Sequence, residues 1–224
     1  VTFTGSTATG RAILAAGAAT VKKTLLELGG KSAHIVLDDA DFGMALPMAA
    51  LMACVMSGQS CILPSRILLP RSRYDEGIEI MKTMMENFPV GDPWDPANMQ
   101  GPQISEGQRK KVIGLVAEAV DSGARLVTGG GVPDKLPVGY YTQATLLADV
   151  HPDSRIAQDE VFGPVLAVIP YDTDDEAVAI ANNSIYGLSG EVSGGDLDRA
   201  FAVATRMRTG NVTINGKSHF GIDS

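Results

Sequence analysis

The spacing of apolar and polar positions changes period several times along the chain. Arg11 to Lys23 is alanine-rich at helical spacing, and Ser32 to Leu37 is a short apolar run that predicts a buried strand. Asp41 to Ser57 returns to helical spacing, Arg66 to Pro70 reads as a strand, and Arg71 to Phe88 as a helix. Ser105-Glu106-Gly107-Gln108 has the spacing of a capping box ahead of a helix through Asp121, which Gly123 is placed to stop. Thr173-Asp174-Asp175-Glu176 is a second such box, opening a helix that reaches about Asn182. Arg125 to Thr128, Val165 to Tyr171, Ser189 to Ser193 and Asn211 to Asn215 predict strands, the last two flanking a helix from Leu197 to Arg208. Strands alternating with helices predict crossover units. The fold class expected is therefore α/β, a mostly parallel open sheet flanked by helices. The Gly- and Pro-rich stretches Pro89 to Pro102 and Gly129 to Gly139 read as surface connections, and no internal repeat is present.

Met44, Met48, Met52 and Met56 recur every fourth residue and predict one stripe on the second helix. Such a stripe can be an adaptable binding surface, since Met is flexible and polarizable. The commoner use is core packing of an internal helix, and that is the expectation here. Pro47, in the second turn, is expected to bend the helix or delay its start.

Composition narrows the classes. The chain has 224 residues, 45% of them hydrophobic and 20% charged, which suits a folded globular chain of one to two domains. Eighteen Lys and Arg against 26 Asp and Glu leave a net charge of −8, so nucleic acid and anionic membrane surfaces are unsuited as partners. The apolar run from Met44 to Met56 falls short of the roughly 20 residues of a membrane span. No secretory leader is visible; the chain opens on Val1 in mid-pattern and reads as a piece of something longer. Cys54 and Cys61 on one helix would lie about 10.5 Å apart, beyond disulfide reach. A reducing, cytoplasmic setting follows as the expectation. His34, His151 and His219 sit at no metal-ligand spacing with the cysteines, so no metal site is expected.

Four strings carry candidate chemistry. Cys54 lies in an apolar stretch and reads as inert core, whereas Cys61 follows Ser57-Gly58-Gln59-Ser60, where a helix gives way to a loop and a thiol can be reactive. Glu27 stands between Leu26 and Leu28 ahead of Gly29-Gly30-Lys31. Buried there it would suit a general base; on the exposed face of a strand it would do nothing chemical, and the residues alone favour the second. Asp159 to Pro164 could anchor a ligand hydroxyl through Glu160 and present Phe162 as a wall, or be a capped turn. Phe3 to Gly10 places Gly5, Ser6 and further hydroxyls before a helix, as an anion site requires, without the full dinucleotide fingerprint.

The order of these strings resembles the aldehyde dehydrogenase superfamily along essentially the whole chain. The matching segments are FTGSTATG at 3–10, LELGGKS at 26–32, GQSC at 58–61, GPQ at 101–103, EVFGPV at 160–165 and ANNSIYGLSG at 181–190. The spacing of 34 residues from Glu27 to Cys61 also suits that family. The resemblance implies an NAD(P)+-dependent, hydrolytic enzyme acting on a small aldehyde, with no metal. It makes Cys61 the nucleophile, its backbone N–H half of an oxyanion hole, and Glu27 the general base for thioester hydrolysis. It places Glu160 on the nicotinamide ribose, Phe162 beside the ring, Gly5 and Ser6 against the pyrophosphate, and Gln108 and Lys111 at a cofactor ribose. It implies that residues 1–30 are the end of a dinucleotide-binding domain and 31–224 most of a catalytic domain. It also implies a homo-oligomeric full-length parent. The family's second oxyanion donor lies before Val1 and its oligomerisation strand after Ser224, so a fragment serving only as a structural or interaction module is the alternative. A cysteine hydrolase is a further reading, and would need His34 as partner of Cys61.

Overall fold

A computed structural model of the chain describes residues 1–218. His219 lies outside the described residues.

Two sheets organise the chain. The smaller pairs β1 (Thr2–Thr4) in parallel with β2 (Leu25–Glu27), Thr4 opposite Glu27, with α1 (Thr7–Ala18) connecting them. The larger contains β3 (Ala33–Val36), β4 (Arg66–Pro70), β5 (Arg125–Thr128), β6 (Thr145–Ala148), β7 (Val165–Tyr171), β8 (Ser189–Ser193), β9 (Asn211–Ile214) and β10 (Lys217–Ser218), in the order β10-β9-β8-β3-β4-β7-β6-β5. Its central pairs are parallel, and only β5 against β6 and β10 against β9 run antiparallel. The expected α/β class is the observed one.

Central strands read as continuous apolar runs because both of their faces are covered. Alternation along β4 shows this. Ile67 and Leu69 pack towards α2 (Phe42–Cys54) and α3 (Tyr74–Glu86), whereas Leu68 packs with residues of α4 (Glu106–Asp121), α6 (Asp174–Asn182) and α7 (Leu197–Ala204). Each such fully buried side chain stabilises the fold by about 1.5–3 kcal/mol. A short helix α5 (Arg155–Gln158) precedes β7.

Arg66 joins the layers. It is 2% exposed, and its guanidinium donates to the carbonyls of Lys31 (3.0 Å), Ile180 (2.9 Å) and Ala181 (2.8 Å). The last two are carbonyls at the C-terminal end of α6, which need partners and favour a cation. Burial pulls the Arg66 pKa down to about 10, within the range where it stays protonated near neutrality.

Several expectations are corrected. Helix α1 begins at Thr7, because the Ser6 hydroxyl accepts from the Thr9 N–H, and it ends at Ala18, before Val21 turns left-handed at φ 50°. Helix α7 stops at Ala204, and the Arg208 N–H is taken by the Asn182 side chain instead. The helix expected from Arg71 begins with a 3₁₀ turn and becomes α-helical at Tyr74. Pro47 neither delays nor interrupts α2, which starts at Phe42 under an Asp41 cap. The methionine stripe is not core. Met44 is 72% exposed, Met48 55% and Met56 61%, while Phe42, Leu46, Ala49, Ala50 and Ala53 form the buried face. An apolar repeat on both faces of one helix leaves its orientation undecided, and the small alanines fit closest against the sheet layer.

Candidate functional site

The site forms where the two sheets meet, and glycines set how closely they approach. After β2 ends at Glu27 the chain reaches Gly30, where a Cβ would lie 2.3 Å from the Cys61 carbonyl oxygen. At Gly29 a Cβ would lie 2.5 Å from the Glu160 carboxylate, and the Gly30 N–H donates to Glu160 Oε1 at 3.2 Å. One dipeptide thus brings together segments 34 and 133 residues apart from Glu27, those of Cys61 and Glu160. Gly5 is tied to the same place, its N–H donating to the Glu27 carbonyl at 3.0 Å.

Cys61 is presented by an unusual turn. Helix α2 gives way to a 3₁₀ turn (Val55–Gly58) in which Met56, Ser57 and Gly58 are all left-handed, with φ of 52°, 58° and 68°. At Gly58 a Cβ would be 2.1 Å from the backbone of Gly163 and 2.4 Å from the Pro164 nitrogen. Beyond the turn, the Ile62 carbonyl accepts from Ser189 Oγ, and the Ser65 and Arg66 N–H groups donate to the Ser32 carbonyl. The thiol-bearing segment is therefore anchored at its far end to β3 and β8. Cys61 itself is half-buried and free. Cys54 is fully buried and free, and burial pushes its thiol up to about 12, as expected of inert core. We expect Gly58→Ala to destabilise the chain by about 2–5 kcal/mol, the sum of a left-handed penalty and a clash with backbone that cannot yield. Urea unfolding measures this, and a change below about 1 kcal/mol would show that the turn can rearrange.

The Glu160 loop is clamped from α4. Lys111 Nζ donates to the Glu160 carbonyl at 2.7 Å, and Gln108 Nε2 donates to the carbonyls of Val161 (2.9 Å) and Phe162 (2.8 Å). Phe162, half-buried and left-handed at φ 58°, follows from this grip. Gln108 thus completes only half of the expected capping box. Ser105 Oγ accepts from its N–H, but the Gln108 side chain is spent on the Phe162 loop. In this geometry both residues hold backbone beside Glu160.

Glu27 lies on the exposed end of β2, with Leu26 and Leu28 half-buried. The burial that would suit it to base chemistry is not provided by the described residues. Ser6 caps α1 at the C-terminal end of β1, so the exposed helix start presents free N–H groups beside the small sheet. The residues therefore fit a dinucleotide in kind: helix N–H groups beside Gly5 and Ser6, and the half-buried Glu160 carboxylate as a hydroxyl acceptor. His34 bonds Ser193 Oγ at 2.8 Å inside the sheet, and burial lowers its pKa. Among the described residues its ring nitrogens meet Ser193 and Glu191, and not Cys61.

No local signal in the sequence announces the buried Lys31, the buried Gln103 or the close approaches at Gly29, Gly30 and Gly58. Lys31 is 2% exposed. Burial first, and then the charge of Arg66, lower its pKa to about 7 against the opposing pull of Asp159 and Glu160. The unfolded chain keeps that proton up to its ordinary pKa of 10.5 while the folded chain releases it near 7, so stability rises with pH across that window. The expected slope is up to about 1.4 kcal/mol per pH unit. Lys31→Met should flatten it, as read by urea unfolding at several pH values; an unchanged slope would place the titration elsewhere.

A water-sized cavity of about 20 Å³ lies between Gly30, Gly58, Ser60, Glu160 and Phe162. A larger one, about 460 Å³, lies between the end of α3 and residues 128–136 and touches none of the candidate residues. No group of His, Cys, Asp and Glu among the described residues could hold a metal ion, and no helix among them is long and apolar enough to cross a membrane.

Comparison with known proteins identifies the family. A sequence model of the aldehyde dehydrogenase family matches residues 1–224. A 3-succinoylsemialdehyde-pyridine dehydrogenase of Pseudomonas sp. is 46% identical over 217 residues, covering 96% of this chain and 46% of its own length. The crystal structure of a Mycobacterium tuberculosis aldehyde dehydrogenase complexed with NAD+ superposes with a TM-score of 0.94 at 47% identity, covering 97% of this chain and 45% of that one. Aldehyde dehydrogenase C from Pseudomonas syringae, as a mutant complexed with NAD+ and octanal, gives 0.95 at 41% identity, covering 98% and 45%. The chain spans about half the length of the relatives it matches. Its motifs, its sheet order and these similarities together make it a member of the aldehyde dehydrogenase family.

Proposed function

We propose that this chain carries the thiol half of an enzyme that oxidises a small aldehyde to a carboxylic acid with NAD+ or NADP+. The observation that carries the reading is the convergence of the Cys61, Glu27 and Glu160 segments on Gly29-Gly30. The Cys61 thiolate attacks the carbonyl carbon, forming a C–S bond and a thiohemiacetal, with its own N–H stabilising the oxyanion. The oxidised nicotinamide, when bound, supplies the hydride acceptor that leaves a thioester on Cys61. Glu27 takes a proton from water, the water oxygen bonds to the acyl carbon, and the C–S bond breaks to release the acid. A thioester is a labile acyl species, so one difficult oxidation becomes two easier steps. Glu160 accepts hydrogen bonds from ribose hydroxyls, Phe162 walls the ring, and Gly5 and Ser6 take the pyrophosphate on the α1 start. Gln108 and Lys111 act here by holding the Glu160–Phe162 backbone, within reach of a cofactor ribose. Residues 1–30 belong to the dinucleotide-binding part and 31–224 to the catalytic part, in a cytoplasmic parent that assembles as a homo-oligomer.

The test is NAD(P)H formation by this chain with a panel of simple aldehydes. Turnover that depends on Cys61 supports the reading. A second reading, an interaction module without activity, is favoured by the exposed methionines Met44 and Met48 on one helix, with Met56 and Ile62 also exposed. Its signature is a folded chain with no turnover on any aldehyde.

A further inference from the structure

The left-handed Met56-Ser57-Gly58 turn is held by the GPQ loop. Ser57 Oγ donates to the Gly101 carbonyl at 2.9 Å, and the Ile104 N–H donates to Gln59 Oε1 at 2.9 Å. Between these, Gln103, 2% exposed, donates from Nε2 to the Ser57 carbonyl at 2.9 Å and to Thr142 Oγ1 at 3.2 Å. The Ser57 carbonyl can only accept, so it requires the amide nitrogen of Gln103 on its side. Gln103 Oε1 has no partner among the described residues, and the Gln103 N–H is fixed by the Tyr140 carbonyl at 2.9 Å. A buried amide whose nitrogen is committed to the backbone of a turn that residues with side chains rarely adopt is an arrangement that serves position.

We propose that Gln103 is a positioning residue for the nucleophile: its carboxamide locks the Ser57 carbonyl and with it the left-handed turn that presents Cys61. This rests on the reading of Cys61 as nucleophile. Without the donor, Ser57 and Gly58 regain right-handed freedom, Gly58 lifts from Gly163, and Cys61 leaves its half-buried place.

The test is alkylation of the chain with iodoacetamide, resolved by peptide mass spectrometry into Cys61 and Cys54. Gln103→Met should raise the Cys61 rate by about ten-fold, equivalent to about 1.4 kcal/mol of easier local opening. Cys54 should stay unlabelled, which a loss of core structure would not allow. Amide exchange over residues 55–62 should quicken in the same variant. Tyr171→Phe removes a comparable buried bond, Tyr171 OH to the Val36 carbonyl at 2.8 Å, which shares no partner with the turn or with Gln103. It should leave the Cys61 rate within about two-fold. Should Gln103→Met label Cys54 as well, Gln103→Asn decides, since it keeps a buried amide but draws its nitrogen back by a methylene from both Ser57 and Thr142. A native Cys61 rate in a folded Gln103 variant overturns the proposal. Retained turnover in Cys61→Ala would instead overturn the nucleophile reading, so the two failures are distinguishable.

Discussion

Cys61→Ala is expected to lower aldehyde-dependent NAD(P)H formation by about 10⁴-fold or more, the scale on which removal of a covalent nucleophile acts. The substitution leaves the fold intact. Cys61 is half-buried in a segment anchored through backbone contacts at Ile62, Ser65 and Arg66, none of which involves the thiol. The loss should therefore appear in turnover and in covalent labelling by substrate, with no change in thermal unfolding. Cys54→Ala is the internal contrast. That thiol is buried and held protonated, so its loss is felt as a core cavity and not in the chemistry. Full turnover by the Cys61→Ala protein would end the thioester mechanism.

Glu27→Gln is expected to slow turnover by about 10²- to 10³-fold, within the range of a general base. The deficit should fall on hydrolysis, so that an acyl adduct accumulates on Cys61 and is seen as a mass increment on the intact protein. Because Glu27 is exposed at the end of β2 and its backbone is held by Gly5, exchanging carboxylate for amide costs little stability. A fall in rate then reports chemistry. Normal turnover with no trapped adduct would put the base elsewhere.

Much of the scaffold is legible locally. Strands β5, β7 and β8 lie where their patterns place them, and the caps Ser105 and Thr173 accept the N–H groups that their spacing predicts. These features depend on neighbours within a few residues. The strands β1, β2 and β10, of two or three residues each, are too short for a period to register. The methionine stripe shows the same limit on a longer element. Both faces of α2 are apolar, and only packing against α3 and the sheet decides which is buried.

For the site, local punctuation sets Cys61 apart from Cys54, whereas Glu27 and Glu160 come forward through the family resemblance, because the residues around them alone leave an exposed strand position and a capped turn open. What tertiary structure decided is distance and direction. Glycine at 29, 30 and 58 admits close approach between segments far apart in the chain, and no local pattern announces which carbonyl will meet which Cα. The same holds for Gln108 and Lys111, whose side chains grip backbone about 50 residues away, and for the exposure of Glu27. Residue chemistry is a local property of the chain, whereas burial and contact belong to the packing of its layers.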